Sequence, residues 1–177
     1  MERPAPPPEL PPTPPGNDAQ GQRKDDLTVE IPQFEVVYDK VAAGLQPFPD
    51  GFRLLAAQGY RSVLHIRQET EDATAVKASV EPTGLAYRDL VVSAKTLTRE
   101  TVDRFSRLVS DPSGHPLFVF DRKGHLAGAL WYLHFRLNDG LPDAEARRRA
   151  ARLGLVEETA GDQADLWLAI HAILRGA

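Results

Sequence analysis

The segment from Pro116 to Leu137 constrains the fold more than any other part of the chain. Its first part, Pro116-Leu117-Phe118-Val119-Phe120, is apolar on both faces. Successive side chains of a strand point to opposite sides, so a run without polar alternation has no face to give to water. It belongs in the middle of a sheet that is covered on both sides. A short loop containing Gly124 follows. Leu126 to Leu137 then reads as an apolar helix, with Leu130, Trp131, Leu133 and Phe135 suggesting burial on several sides. Buried strand, glycine-containing loop and apolar helix together make an anion cradle, because free main-chain N–H groups and the helix dipole converge on one point.

Around this segment, short β-rich runs alternate with amphipathic stretches, the pattern of helices packed on a mostly parallel sheet. Strands or a hairpin are expected at Phe34 to Tyr38 and Val41 to Leu45, and strands at Ser62 to Ile66 and Ala86 to Val92. Helices are expected from Gly51 to Gln58, closed by Gly59, and from Ala73 to Val80, stopped before Pro82. Thr98 opens another that carries Val102, Phe105, Leu108 and Val109 and ends near Asp111-Pro112. An exposed basic helix from Pro142 to Arg152 and an amphipathic one from Asp162 to Leu174 close the chain. The expected class is α/β, a central, mostly parallel sheet of about four to five strands flanked by helices.

The 177 residues, 42% hydrophobic and 26% charged, have room for one domain of ordinary size. Residues 1–27 are proline-rich, then rich in Asn, Asp, Gln, Gly and Lys, without hydrophobic periodicity. They are expected to be a disordered tail, with the domain over 28–177. Spacings such as Pro8 to Pro11 and Pro12 to Pro15 fit a polyproline helix that an aromatic groove could hold, although a semi-rigid spacer is the plainer reading.

A net charge of −4 supplies no global basic field, so no nucleic-acid partner is expected. With no cysteine, disulfides, thiolate metal sites and thiolate nucleophiles are all excluded. No apolar run approaches the roughly 18 residues of a membrane span, and the first residues lack the apolar core of a signal peptide. A cytoplasmic location is the default expectation; a proline-rich start can also be what is left of a longer, membrane-anchored product.

The stretch Phe118-Val119-Phe120-Asp121-Arg122-Lys123-Gly124-His125-Leu126-Ala127-Gly128 resembles the phosphate-binding loop of the tyrosine and dual-specificity phosphatase superfamily. There a strand runs into His-Cys, five residues including a glycine, then Arg-Ser/Thr-Gly and a helix. Val36-Val37-Tyr38-Asp39-Lys40-Val41-Ala42-Ala43-Gly44-Leu45-Gln46-Pro47 is similar to the opening hairpin of bacterial members related to the phosphatase-like part fused to NAD kinases. Phe52 to Arg67 is similar to their helix followed by a strand ending in Leu-Arg. The likeness covers about residues 34 to 155.

The resemblance implies a chemistry that this chain cannot run unchanged. In the family a cysteine thiolate attacks phosphorus, an arginine six positions later clamps the phosphoryl oxygens, and an aspartate from a neighbouring loop protonates the leaving group. Matched position by position, the cysteine falls on Asp121, the arginine on Ala127 and the hydroxyl residue on Gly128. A loop shorter by one residue puts the arginine at Leu126, with the same result. The acid is sought between Asp89 and Thr96, where only Asp89 qualifies; lying within an expected strand, it reads as structural.

A carboxylate at the nucleophile position faces an incoming phosphate dianion without the arginine, a repulsion of several kcal/mol, on the order of what like charges cost in a desolvated pocket. The expectation is that the Asp121 carboxylate itself occupies the nest of N–H groups as a built-in anion. Arg122, Lys123 and His125 then form either a solvated basic turn or a rim that meets an external phosphate or phosphoinositide.

Other classes fit less well. The loop also resembles the Asp-x-Asp-Gly-Thr motif of haloacid dehalogenase-type phosphatases, but Lys123 stands at the second aspartate and His125 at the threonine. The histidines at 65, 115, 125, 134 and 171 contain no close ligand pair, so no metal is expected, nor any cofactor. Two readings stay open. One is a pseudophosphatase acting as a binding or scaffold module, with an anionic or protein partner at residues 121–128. The other is a phosphoester hydrolase using Asp121, or a diverged dual-specificity-like phosphatase.

Overall fold

A computed structural model describes residues 27–159 and 161–177. The central strand is where the apolar run places it: β5 (Leu117–Asp121) is buried at all five positions. It lies between β2 (Val41–Leu45) and β3 (Ser62–Arg67), both parallel to it. Beyond them, β1 (Glu35–Tyr38) pairs antiparallel with β2, and β4 (Ala86–Val91) pairs parallel with β3. The order β1-β2-β5-β3-β4 makes a five-stranded, mostly parallel sheet, the α/β class that the pattern predicts.

Strand periodicity divides the core between the two faces. Leu117 and Val119 of β5, with Leu64 and Ile66 of β3, join one cluster. That cluster continues through α3 (Arg99–Ser110), α4 (His125–Leu137), α5 (Asp143–Arg152) and α6 (Ala164–Arg175). Phe118 and Phe120 point the other way and meet Phe52 and Leu55 of α1 (Pro49–Ala57) and Val76 and Val80 of α2 (Thr74–Val80). Each of these fully buried phenylalanines contributes about 1.5–3 kcal/mol by leaving water.

Several boundaries move for local reasons. α1 starts at Pro49 rather than Gly51, since proline has the fixed φ of a first helical position and loses no hydrogen bond there. α4 starts at His125, one residue before the expected start, directly after Gly124 turns the chain at φ 88°. A 3-10 turn, Gly161–Gln163, takes up the beginning expected for the last helix. Thr98 caps α3 through its side chain, which accepts from the N–H of Thr101 at 3.3 Å.

The expected tail lies outside the described residues except for Leu27. Leu27 is buried and packs with Ile31 in the α1–α2 cluster. Main-chain bonds from Leu45 N to Pro32 O and from Phe48 N to Glu30 O tie the following residues to the sheet. No helix among the described residues is long and apolar enough to cross a membrane.

Candidate functional site

Asp121 is the last residue of β5, and period-two alternation puts it on the same sheet face as Leu117 and Val119, the face that α4 covers. Its carboxylate consequently ends under the start of that helix, where main-chain N–H groups have no helical acceptor. Oδ1 accepts from the N–H of Lys123 at 2.6 Å and of Gly124 at 2.5 Å. Oδ2 accepts from the N–H of Ala127 at 2.9 Å. Three donors and the positive end of the helix dipole compensate a charged group that is only 4% exposed.

The other loop residues take distinct positions. Arg122 and Lys123 are exposed, while Gly124 is buried. His125 is partly buried, and its Nδ1 lies 3.3 Å from the carbonyl of Gly154. Leu126 faces the cleft described below, whereas Ala127 is buried at 3% exposure and does not line it. Gly128 packs against the turn that follows α5: a Cβ there would stand 2.7 Å from both Gly154 C and Leu155 Cα. Sequence reasoning missed this turn, whose one local signal is Leu153-Gly154-Leu155 after a helix, with Gly154 at φ 104°.

A cleft of about 810 Å³ opens at the carboxyl ends of β3, β4 and β5. Its walls are the 68–71 loop, residues 91–96, residues 121–123 with 125–126, and Gln163, Asp165 and Leu166 at the start of the last helix. A second hollow of about 390 Å³ shares Thr70, Glu71 and Arg122 with it and reaches His65 and Gln46.

Asp89 does not line this cleft. It pairs with Arg67 on the neighbouring strand, with Oδ2 2.9 Å from Nε and 2.8 Å from Nη2. Arg67 also donates to the carbonyl of Glu71 at 3.2 Å, so the pair holds the 68–71 wall in shape. The structure thus brings residues 121–126 together at one site and leaves Asp89 outside it. Arg67, a wall-positioning residue, escaped the sequence reading because its role depends on Asp89, 22 positions further along the chain.

The histidines have protein partners. His65 stacks on Phe120 with ring centroids 4.7 Å apart, and its Nδ1 lies 2.8 Å from the Tyr87 hydroxyl. Burial pushes its pKa down to about 4. His134 sits between the Ser106 hydroxyl at 2.8 Å and the Tyr38 hydroxyl at 3.0 Å, and burial lowers its pKa also. His115 meets the carbonyl of Val109, and His171 meets Glu158. Among the described residues no group of three or more His, Cys, Asp or Glu side chains is placed to hold a metal ion.

Comparison with known proteins agrees with this architecture. A DUF442 protein from Shewanella putrefaciens superposes with a TM-score of 0.62 at 16% identity, covering 85% of this chain and 94% of that one. TpbA from P. aeruginosa, in complex with pTyr, gives 0.61 at 14% identity, covering 82% and 84%. The PP-IP phosphatase SIW14 from S. cerevisiae, in complex with citrate, gives 0.60 at 14% identity, covering 77% and 85%. At these identities the likeness establishes the fold. No curated protein sequence matches the chain. Residues 27–130 match the family described as DSP-PTPase phosphatase fused to NAD+ kinase, and this stretch, more than half of the chain, runs from Leu27 through the sheet and the loop into α4. The chain belongs to that family of dual-specificity-like phosphatase domains.

Proposed function

We propose that this protein is a pseudophosphatase, a binding or scaffold module that keeps the phosphatase fold without cysteine-dependent turnover. The observation that carries the reading is the Asp121 carboxylate, held by the N–H groups of Lys123, Gly124 and Ala127 in the place where a phosphoryl group would need them. An anion already bound there excludes a second, because two negative charges in one desolvated cradle repel by several kcal/mol, on the order expected at low local dielectric.

The side chains further along support a loop one residue shorter than the family's. In that register Leu126 stands for the arginine, Ala127 for the hydroxyl residue and Gly128 for the glycine. Leu126 lines the cleft, Ala127 turns into the core, and Gly128 has no room for a Cβ. Leucine offers no guanidinium to clamp phosphoryl oxygens, so transition-state charge would go uncompensated.

An assay with p-nitrophenyl phosphate, with and without magnesium, on the native protein and on Asp121→Asn tests the reading. No turnover above background is expected from either. Turnover by the native protein that the substitution abolishes would overturn it in favour of an Asp121-dependent hydrolase. As a converse test, Asp121→Cys combined with Leu126→Arg is expected to gain vanadate binding.

A further inference from the structure

We infer that the cleft above Asp121 receives an unphosphorylated phenol, the side chain of a tyrosine on a partner protein, with its hydroxyl donating to the Asp121 carboxylate. The inference rests on the pseudophosphatase reading and assigns it a ligand chemistry. Its first ground is a count of hydrogen bonds. A carboxylate accepts from about four directions. Asp121, which lines the cleft, receives N–H groups on three: two on Oδ1 and one on Oδ2. Among the described residues one accepting direction, on Oδ2, is left for a donor that enters from the cleft. A phenol supplies one, whereas a phosphate dianion only accepts.

The second ground is charge. The cleft is lined by the carboxylates of Glu69, Glu71, Asp121 and Asp165 against the cations of Lys95, Arg122 and Lys123. Acidic groups outnumber basic ones, the reverse of what a dianion needs. A cationic guest would in turn meet Arg122 and Lys123 beside the loop. A neutral donor avoids both repulsions.

The third ground is the wall. Leu126, Val91 and Ala94 give the same cleft accessible apolar surface. An aromatic ring gains from that surface while its hydroxyl reaches a polar partner, the combination for which tyrosine is suited. The site therefore discriminates in favour of the unmodified side chain, and phosphorylation of the guest would expel it.

Titration of the ¹⁵N-labelled full chain with p-cresol, p-tolyl phosphate and inorganic phosphate tests this. Saturable shifts of the Lys123, Gly124 and Ala127 amides are expected with p-cresol, and p-tolyl phosphate is expected to bind at least about tenfold more weakly, a modest share of the like-charge repulsion. Leu126→Arg, which leaves Asp121 in place, should narrow the gap between the two ligands. Equal or tighter binding of p-tolyl phosphate or inorganic phosphate at the loop overturns the inference, as does p-cresol moving none of the three amides. Release of p-cresol from p-tolyl phosphate in the same samples would instead sink the pseudophosphatase reading. Equal or tighter binding of the phosphate ester without release sinks the phenol alone.

Discussion

Gly128, in the first turn of α4, and Leu155, just past the end of α5, meet main chain to main chain, with no space between them for a side chain. The contact lets the 153–155 turn close over the loop, where the carbonyl of Gly154 lies 3.3 Å from His125 Nδ1. Gly128→Ala forces these backbones apart and is expected to cost about 3 kcal/mol, at the upper end for overpacking because neither neighbour is a flexible side chain. Gly140→Ala, which meets nothing within 4 Å, should cost only about 1 kcal/mol, from its positive φ. Urea denaturation of the two variants measures the difference; equal losses would mean that the turn yields easily.

Asp121→Asn removes the charge and replaces one accepting oxygen by an NH₂ group. Either Ala127 or the Lys123 and Gly124 pair then faces a donor instead of an acceptor. The expected loss is about 2 kcal/mol or more, the cost of stranding buried N–H groups that had a charged acceptor. A lowered melting temperature together with faster exchange of those amide protons is the signature. An unchanged exchange rate would show that the loop holds its shape without the carboxylate.

His65 makes stability depend on pH. Burial lowers its folded pKa from 6.5 to about 4, so between those values the unfolded chain binds more protons than the folded one. The contribution is fully present above 6.5 and is lost as the pH falls towards 4, a change of about 3 kcal/mol. Carboxylates titrate at the lower end of the same window, and His134, also depressed by burial, adds a slope of the same sign. The informative quantity is therefore the difference between native protein and His65→Gln. The variant should lose less stability than the native chain between pH 7 and pH 4.5; parallel curves would contradict the assignment to His65.

The sheet was legible because its signals are local. Phe118 and Phe120 against Leu117 and Val119 announce a strand with two buried faces, and Thr98 announces a helix start; both are found where the pattern puts them. The burial of Leu27 was not legible, since one apolar residue after a polar tract carries no period, and it depends on Ile31 and the α1–α2 side of the sheet. The register of the loop could not be read for a related reason. Leu126 and Ala127 are both plausible places for a missing arginine in one dimension. The proposed register rests on which side chain faces the cleft and on how closely residue 128 approaches a turn 27 positions further along. Arg67 and Asp89 are likewise both visible in the sequence, but their pairing across β3 and β4 is a matter of strand register.

Because Asp121 is joined to the donors it serves by only a few peptide units, its carboxylate competes for them at the effective concentration of a tethered group, well above the millimolar levels of a free solute. Dissolved phosphate or sulfate must therefore displace a rival that cannot diffuse away. The midpoint of thermal unfolding should be nearly indifferent to oxyanions at millimolar levels, below those at which sulfate and phosphate stabilise proteins generally, so the shape of this loop is a property of the chain itself rather than of the medium around it.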